Sequence, residues 1–400
     1  MPQGGNYDGD GKHMKKVMMG TEAAALAAKL ARVQVVSAYP ITPQTVIVEN
    51  LSDIIGRSEL KARYITVESE HSAMACCVGA SLAGARAFTA SSSHGLAYMH
   101  EMLHYAAGAR VPVVMVNCNR GVGPPWNLYC DHTDSLAQRD TGWTQYYCAD
   151  AQDVLDAILI AYNVAEQALL PVMINMDAFY LTHTSELVDM PDQHLVDDFL
   201  PPYKPSNKLD VDDPKTFGNV CGADLFASVK YRRHCDVLSL EKVWDRTATD
   251  FCERFNRLHP TVEAFQTEDA DVCVTGIGTA GGAIRLAVDR LREEGLKVGG
   301  LRLAMMRPFP RERFKEAIAN VRHLIVIDRD VSFGAEGIVA QELKAVLFDR
   351  REDLKLTGFI AGVGGKDLAV ETIVSLVKQA ILGDGTAVEA GSSFWTDVLP

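Results

Sequence analysis

Four short segments of this 400-residue sequence gather side chains able to do chemistry. Tyr39-Pro40-Ile41-Thr42-Pro43 holds a threonine hydroxyl between two prolines, which makes it a rigid donor. The same residues read as a strand-to-helix cap, with Thr42 satisfying backbone N–H groups. In Val67-Glu68-Ser69-Glu70-His71-Ser72-Ala73-Met74, Glu70 opens a stretch of small and apolar residues. Its carboxyl should be poorly solvated, and buried carboxylates need partners and gather at functional sites. A helix N-terminus favouring any acidic side chain explains Glu68 as well as Glu70. Asn117-Cys118-Asn119-Arg120-Gly121 follows an apolar strand and sets Arg120 where a guanidinium could clamp a carboxylate, or serve a structural ion pair. Asp131-His132-Thr133-Asp134, with Arg139-Asp140 and Gly142-Trp143 behind it, offers metal-ligand types. No further His or Cys pairs with them in sequence, so a hydrogen-bonded loop is expected and no metal.

A fifth segment, Gly276-x-Gly278-x-x-Gly281, invites a dinucleotide reading. That fingerprint wants an acidic residue about 20 positions on. Gly300-Leu301-Arg302-Leu303-Ala304 has none, and although Arg302 could suit a 2′-phosphate, close packing of helix on strand explains the glycines better.

The elements that must position these residues alternate. Val33 to Ala38, Tyr64 to Val67, Ala87 to Ala90, Val111 to Asn117 and Val172 to Met176 read as strands. Gln44 to Ile55, Glu70 to Gly84 and Ala151 to Ala168 read as helices, and Ser91-Ser92-Ser93-His94-Gly95 opens another with capping residues. The alternation predicts parallel βαβ units under helices on both faces. From about Asp189 prolines and aspartates accumulate, predicting a long surface connection over about 189–236. A connecting helix follows over Val237 to His259. A second α/β unit begins near Asp271, with strands at Val272 to Thr275 and His323 to Asp328 and a helix over Thr279 to Glu294. The division expected is a flexible arm over 1–16, a first domain over 17–260, a second over 261–385 and a peripheral tail over 386–400.

The bulk properties narrow the class. Hydrophobic residues at 48% and charged residues at 23% suit a globular chain with sizeable cores. The net charge of −13 argues against nucleic-acid binding, which needs a basic face. No apolar run reaches the length of a membrane span and no signal-type segment opens the chain, so a cytoplasmic protein is expected. The nine cysteines contain no C-x-x-C pair. They read as reduced thiols, most of them small core residues, without iron–sulfur ligation patterns.

Taken in order, Tyr-Pro-Ile-Thr-Pro, Glu-Ser-Glu-His-Ser-Ala-Met, Ser-Ser-Ser-His-Gly-Leu, Asn-Arg-Gly, and Asp-His-Thr-Asp with Arg-Asp-x-Gly-Trp resemble the alpha subunit of pyruvate synthase and related 2-oxoacid:ferredoxin oxidoreductases. Thr-Gly-Ile-Gly-Thr and Met-Arg-Pro-Phe-Pro resemble that subunit's second domain. The likeness covers about residues 17 to 380. It implies an α/β fold: a pyrimidine-type thiamine diphosphate domain, then a transketolase C-terminal-like α/β domain. It implies CoA-dependent oxidative decarboxylation of a 2-oxoacid to an acyl-CoA and CO2, with electrons leaving through iron–sulfur clusters to ferredoxin. Glu70 matches the glutamate that hydrogen-bonds N1′ of the thiamine pyrimidine, where a carboxyl favours the imino form of the 4′-amino group. Thr42 matches the threonine that contacts the 2-oxoacid, and Arg120 the arginine that holds its carboxylate. Tyr39, Pro40, Ser93 and His94 are expected beside the cofactor.

The sequence has no Gly-Asp-Gly segment followed by an asparagine of the type that holds Mg2+ and diphosphate. The resemblance therefore implies a beta subunit that carries the diphosphate half and an iron–sulfur cluster, with gamma and ferredoxin-like delta subunits and a CoA site supplied or shared by partners. Trp126 beside Pro124 and Pro125, with Tyr129, Tyr146 and Tyr147, are core or interface aromatics or else shape a pocket for an aryl 2-oxoacid such as phenylglyoxylate, with NAD as final acceptor. The readings from other classes are a non-catalytic scaffold subunit and a free-standing oxidoreductase using the Gly276 loop for NAD(P).

Overall fold

The computed structural model describes residues 6–7, 13–348, 354–383, 387–396 and 398. Six strands of the first half and one of the second build a seven-stranded sheet in the spatial order Met305–Arg307, Thr144–Tyr147, Val172–Asp177, Val114–Asn119, Ala87–Ser91, Val35–Ala38, Arg63–Thr66. Every neighbouring pair is parallel except the edge strand Met305–Arg307, which runs antiparallel to Thr144–Tyr147. The Met-Arg-Pro-Phe-Pro segment therefore closes the first sheet with a strand from the second half of the chain.

Both faces of this sheet are covered. Val114, Val116 and Cys118 point into one core with helices Gly20–Leu30 and Ala151–Ala168, while Met115 and Met173 point into the other with Glu70–Leu82 and His100–Ala109. The two-residue strand period produces that division, and burial of each Val, Ile, Leu or Phe contributes roughly 1.5–3 kcal/mol. From Val35–Ala38 the chain crosses to Arg63–Thr66 on one side, and the next strand, Ala87–Ser91, lies on the other. That reversal opens a crevice at the C-terminal ends of Val35–Ala38 and Ala87–Ser91, the place where open α/β sheets hold ligands.

The second sheet has the order Val262–Phe265, Val298–Leu303, Val272–Gly276, His323–Asp328, Lys355–Ile360, Ser393–Trp395, Val388–Ala390. Helices Ala280–Glu293 and Val370–Leu382 pack on one face, Arg311–Ala317 and Ile338–Leu347 on the other. Among the described residues no helix is long and apolar enough to cross a membrane.

Several boundaries differ from expectation. The end of the supposed N-terminal arm is a strand, His13–Met19, paired antiparallel with Ser185–Pro191 inside the supposed loose connection. Asn6–Tyr7 pairs with it in turn, and the rest of 1–12 lies outside the described residues. Gln193–Phe199 is helical, and the connecting helix runs over Ala223–Phe255, ending at a left-handed Asn256 and not at His259. Its buried residues begin only at Leu240, so its first half carries no core-facing periodicity that sequence could reveal. Within the tail, Ser393–Trp395 extends the second sheet beside Lys355–Ile360, and Val388–Ala390 forms its edge. All nine cysteines are free and five are buried, the majority expected.

Candidate active site

Arg120 follows directly on strand Val114–Asn119 and turns into the crevice. Its Nη1 donates to the carbonyl of Thr42 at 2.6 Å, which ties the Tyr39–Pro43 loop to the neighbouring strand end. Among the described residues the buried Arg120 Nε has no partner, and burial lowers the guanidinium pKa. Thr42 is exposed and does not act as a helix cap, because the following helix starts at Thr45 with no side-chain cap bond. Gln44 braces the loop, donating to the Tyr39 carbonyl at 2.7 Å. Pro40 is exposed, and Tyr39 joins the hydrogen-bond network through its backbone.

Glu70 is the first residue of helix Glu70–Leu82, capped by Ser69, whose hydroxyl accepts from the Ser72 N–H. The two glutamates part company here. Glu68 is exposed and accepts from the Ser72 hydroxyl, which lowers its pKa, whereas Glu70 is only 8% exposed. A Cβ on Gly95 would lie 2.6 Å from Glu70 Oε1 and 2.6 Å from Ser91 Oγ, so only a glycine lets the helix Ser93–Tyr98 cover the carboxyl.

Ser93 opens that helix with a φ of 51°, the left-handed region a serine rarely adopts. It is held there from both sides. Its N–H donates to Asp134 Oδ2 at 2.9 Å and its hydroxyl to the Gly121 carbonyl at 2.6 Å. The expected serine cap is absent, because the Ser92 hydroxyl donates instead to the Cys118 carbonyl. His94 Nδ1 lies 3.0 Å from Ser93 Oγ and Nε2 lies 3.1 Å from Gly123 N. Nε2 lies equally 3.1 Å from the Gly123 carbonyl, so the ring meets both a donor and an acceptor of that residue. The His94 ring packs on Trp126 at 4.4 Å between centroids, and Trp126 is 72% exposed.

Asp134 unites these strand ends. Its carboxylate accepts from Ser93 N, Arg120 N, Ser135 N, Asn117 Nδ2 and Asn119 Nδ2. Burial pushes its pKa up to about 6 against the pull of those donors. Sequence reasoning placed Asp134 in a hydrogen-bonded loop and did not count it among the site residues. The signal available was Asn117 and Asn119, two amides on one face at the end of an apolar strand.

The rest of that loop faces the second domain. His132 is buried and bonds Asp177 Oδ1 at 2.8 Å, while Arg329 and Thr279 hold Oδ2. Burial works against charge on His132, but the Asp177 carboxylate outweighs it and raises the pKa. Cys130, His132 and Asp177 bring potential ligand atoms within 4.8 Å of one another. The Arg329 guanidinium, 2.8 Å from Asp177, opposes a cation in that place. The Gly276-x-Gly278-x-x-Gly281 loop is a docking element. A Cβ on Gly278 would meet Asp177 Oδ1 at 2.6 Å, and one on Gly281 would meet Arg302 Cδ at 2.6 Å. Arg302 is buried and paired with Asp153 and Glu263, which leaves it no role at a nucleotide phosphate.

The aromatic set divides. Tyr146 and Tyr147 are fully buried, Tyr146 stacked on Trp244 and Tyr147 bonded to Ser135 Oγ. Only Trp126 and Tyr129 are exposed, and Tyr129 packs on Phe179. The structure thus joins Thr42, Arg120, Ser93, His94, Gly95 and Glu70 around one crevice. A buried carboxyl, the unpartnered hydroxyl of Ser91 and the unpartnered Arg120 Nε leave hydrogen-bonding capacity for an occupant. This donor and acceptor set fits an aminopyrimidine edge beside a small carboxylate.

Residues 26–248 match the family model described as pyruvate flavodoxin/ferredoxin oxidoreductase, thiamine diP-binding, and residues 270–373 match that of the pyruvate:ferredoxin oxidoreductase core domain II. The chain is 46% identical to the ketoisovalerate oxidoreductase subunit VorA of Pyrococcus horikoshii, over 92% of this chain and 93% of that one. It is 42% identical to the pyruvate synthase subunit PorA of Methanothermobacter thermautotrophicus, over 91% and 94%. Among solved structures, 2-oxoglutarate:ferredoxin oxidoreductase from Magnetococcus marinus superposes with a TM-score of 0.70 at 22% identity, covering 92% of this chain and 65% of that one. A split-gene transketolase superposes at 0.55 with 14% identity, covering 92% and 99%, and bears on the fold alone.

Proposed function

The chain belongs to the pyruvate flavodoxin/ferredoxin oxidoreductase family, and from that premise we propose that it is the alpha-type subunit of a CoA-dependent 2-oxoacid oxidoreductase. The reaction is oxidative decarboxylation of a 2-oxoacid to an acyl-CoA and CO2, with electrons passed to ferredoxin. The relatives named for pyruvate and ketoisovalerate favour a small aliphatic 2-oxoacid. The aryl alternative loses support because Tyr146 and Tyr147 belong to the core.

In this reading thiamine diphosphate, when bound, supplies the carbanion chemistry. The chain's own residues hold and orient. Glu70, shielded under Gly95, keeps its carboxyl out of bulk water and accepts or returns a proton at the pyrimidine edge. Arg120 offers Nε and the remainder of its fork to the substrate carboxylate, while its Nη1 fixes the Thr42 loop. Thr42 presents its hydroxyl beside that clamp. Ser93 and His94 keep the 121–126 loop closed over the crevice. Tyr39 and Pro40 form the wall on the side of the first strand.

A beta subunit contributes the diphosphate and Mg2+ half and an iron–sulfur cluster, and gamma and delta subunits complete the electron and CoA paths. The division into 17–260 and 261–385 belongs to the same reading, supported by the spans of the two family matches, 26–248 and 270–373. Nine unpaired cysteines favour the cytoplasm.

The observation that carries the proposal is the burial of Glu70 against Gly95 in the crevice that Arg120 also enters. The test is a 2-oxoacid panel on the co-purified complex with thiamine diphosphate, CoA and a viologen dye. CoA-dependent dye reduction is expected. A chain that purifies alone, and a preparation inert to every acid, would leave the scaffold reading in its place.

A further inference from the structure

A cleft of about 540 Å³ lies between the two domains, away from the crevice that holds Glu70. It opens at the N-terminal end of strand Thr144–Tyr147, whereas the crevice sits at the C-terminal ends of the parallel strands. One wall comes from helix Ala223–Phe255 and the loop before Thr144, the other from residues after Met305–Arg307 and from helix Ile338–Leu347.

Its charge runs against that of the molecule. The net charge of the chain is −13, yet Arg139, Lys230, Arg233, Arg307 and Arg311 all line this one cleft. The acidic groups on its wall are Asp140 and Glu342. Glu342 already serves both Arg139, at 3.2 Å, and Arg307, at 2.7 Å. Asp140 stands 3.9 Å from Arg307 with its side chain 81% exposed. Lys230 lies 5.5 Å above the Phe226 ring. Among the described residues neither Lys230, Arg233 nor Arg311 has an acidic partner. Arg233 is half-buried, and burial, together with Arg110 nearby, works against its charge. Like charges held close without counter-ions are costly, and a site-bound anion removes that cost.

Apart from His234, the remaining wall is apolar, with Val237, Leu238, Pro308, Phe309 and Val346. A concave space between domains, with an apolar wall and convergent guanidinium groups, suits a small ligand, and such pockets measure about 300–1,000 Å³. Guanidinium forks match phosphate geometry in particular.

We propose that this cleft binds a polyphosphorylated small molecule, its phosphoryl groups on Lys230, Arg233 and Arg311 and its apolar part against Val237, Pro308 and Phe309. The ligand is a nucleotide if the apolar wall contributes and an inorganic polyphosphate if it does not. Neither case touches Glu70, Thr42 or Arg120, so binding is separable from the decarboxylation chemistry.

The test is calorimetric titration of the assembled complex with ADP in one arm and inorganic pyrophosphate in the other. Saturable binding is expected in at least one arm, and tighter ADP binding identifies the nucleotide. Arg233→Ala together with Arg311→Ala should weaken that binding roughly tenfold or more and leave 2-oxoacid turnover unchanged. Arg311→Glu, an exposed position, gives the same direction should the double variant fail to fold. Binding of neither probe at millimolar concentration, or an affinity that the variants do not alter, overturns the proposal. So does loss of a partner subunit from the Arg311→Glu complex, which would make the cleft a protein interface.

Discussion

The carboxyl of Glu70 lies directly beneath the bare Cα of Gly95, so close that a β-carbon there would stand 2.6 Å from Oε1. Two elements 25 residues apart in sequence, the start of helix Glu70–Leu82 and the helix Ser93–Tyr98, thus meet at this carboxyl. Gly95→Ala is expected to push the carboxyl aside and lower turnover at least tenfold, since displacements of about 1 Å can cost 100-fold. Glu70→Gln should abolish turnover with subunit assembly intact. Steady-state rates beside size-exclusion profiles check both, and a fully active Glu70→Gln complex would remove the residue from the chemistry.

Arg120→Ala should act mainly on capture of the substrate. Losing one member of a buried charge pair costs about 2–5 kcal/mol, here read as a large rise in KM for the 2-oxoacid. Arg120→Lys should recover only part, because a lysine cannot hold the Thr42 carbonyl and a carboxylate in one planar fork. Unchanged KM and kcat in the alanine variant would exclude it from the site.

Asp134→Asn tests positioning. An amide presents one acceptor where the carboxylate now serves donors on both oxygens, so its NH2 group must face either Ser93 and Arg120 or Asn119 and Ser135. We expect kcat/KM to fall roughly 10–100-fold, about 1.4–2.8 kcal/mol, with circular dichroism unchanged. A rise of kcat/KM as pH passes about 6, where burial pushes the Asp134 pKa, is expected in the wild type and should be lost in this variant, whose amide does not titrate. A purely structural role would leave that rise in place.

His259 gives a stability signature. It lies 2.8 Å from Asp153 and 3.1 Å from Asp156. Burial opposes its charge, yet these carboxylates raise the pKa from 6.5 to about 9. Because the folded value is the higher one, the contribution is fully present below about pH 6.5 and fades as pH rises through about 9, a loss on the order of 3 kcal/mol. Urea unfolding of the wild type at pH 6 and at pH 9, compared with His259→Gln, should show this slope only in the wild type. Parallel profiles would mean that the histidine is neutral throughout.

Much of the fold was legible because its signals are local. Continuous apolar runs such as Val113-Val114-Met115-Val116 mark strands buried on both faces, and Ala151–Ala168 carries its helical stripe and its Asp150 cap within itself. The order of the motifs likewise led to the family, and the roles proposed for Glu70, Thr42 and Arg120 came with that resemblance.

Tertiary structure decided whatever depends on partners distant in the chain. Met305–Arg307 became an edge strand of the first sheet, and His13–Met19 found Ser185–Pro191, because ladder bonds are satisfied by whichever strand lies alongside. Glu70 and Glu68 look alike in sequence, and only the approach of Gly95 buries one while the other stays in water. The glycine loop at 276–281 has nucleotide spacing, yet its open face is filled by Asp177 and Arg302. Spacing along the chain sets which side chains can converge, and packing between elements sets which of them lose their water and thereby acquire a role.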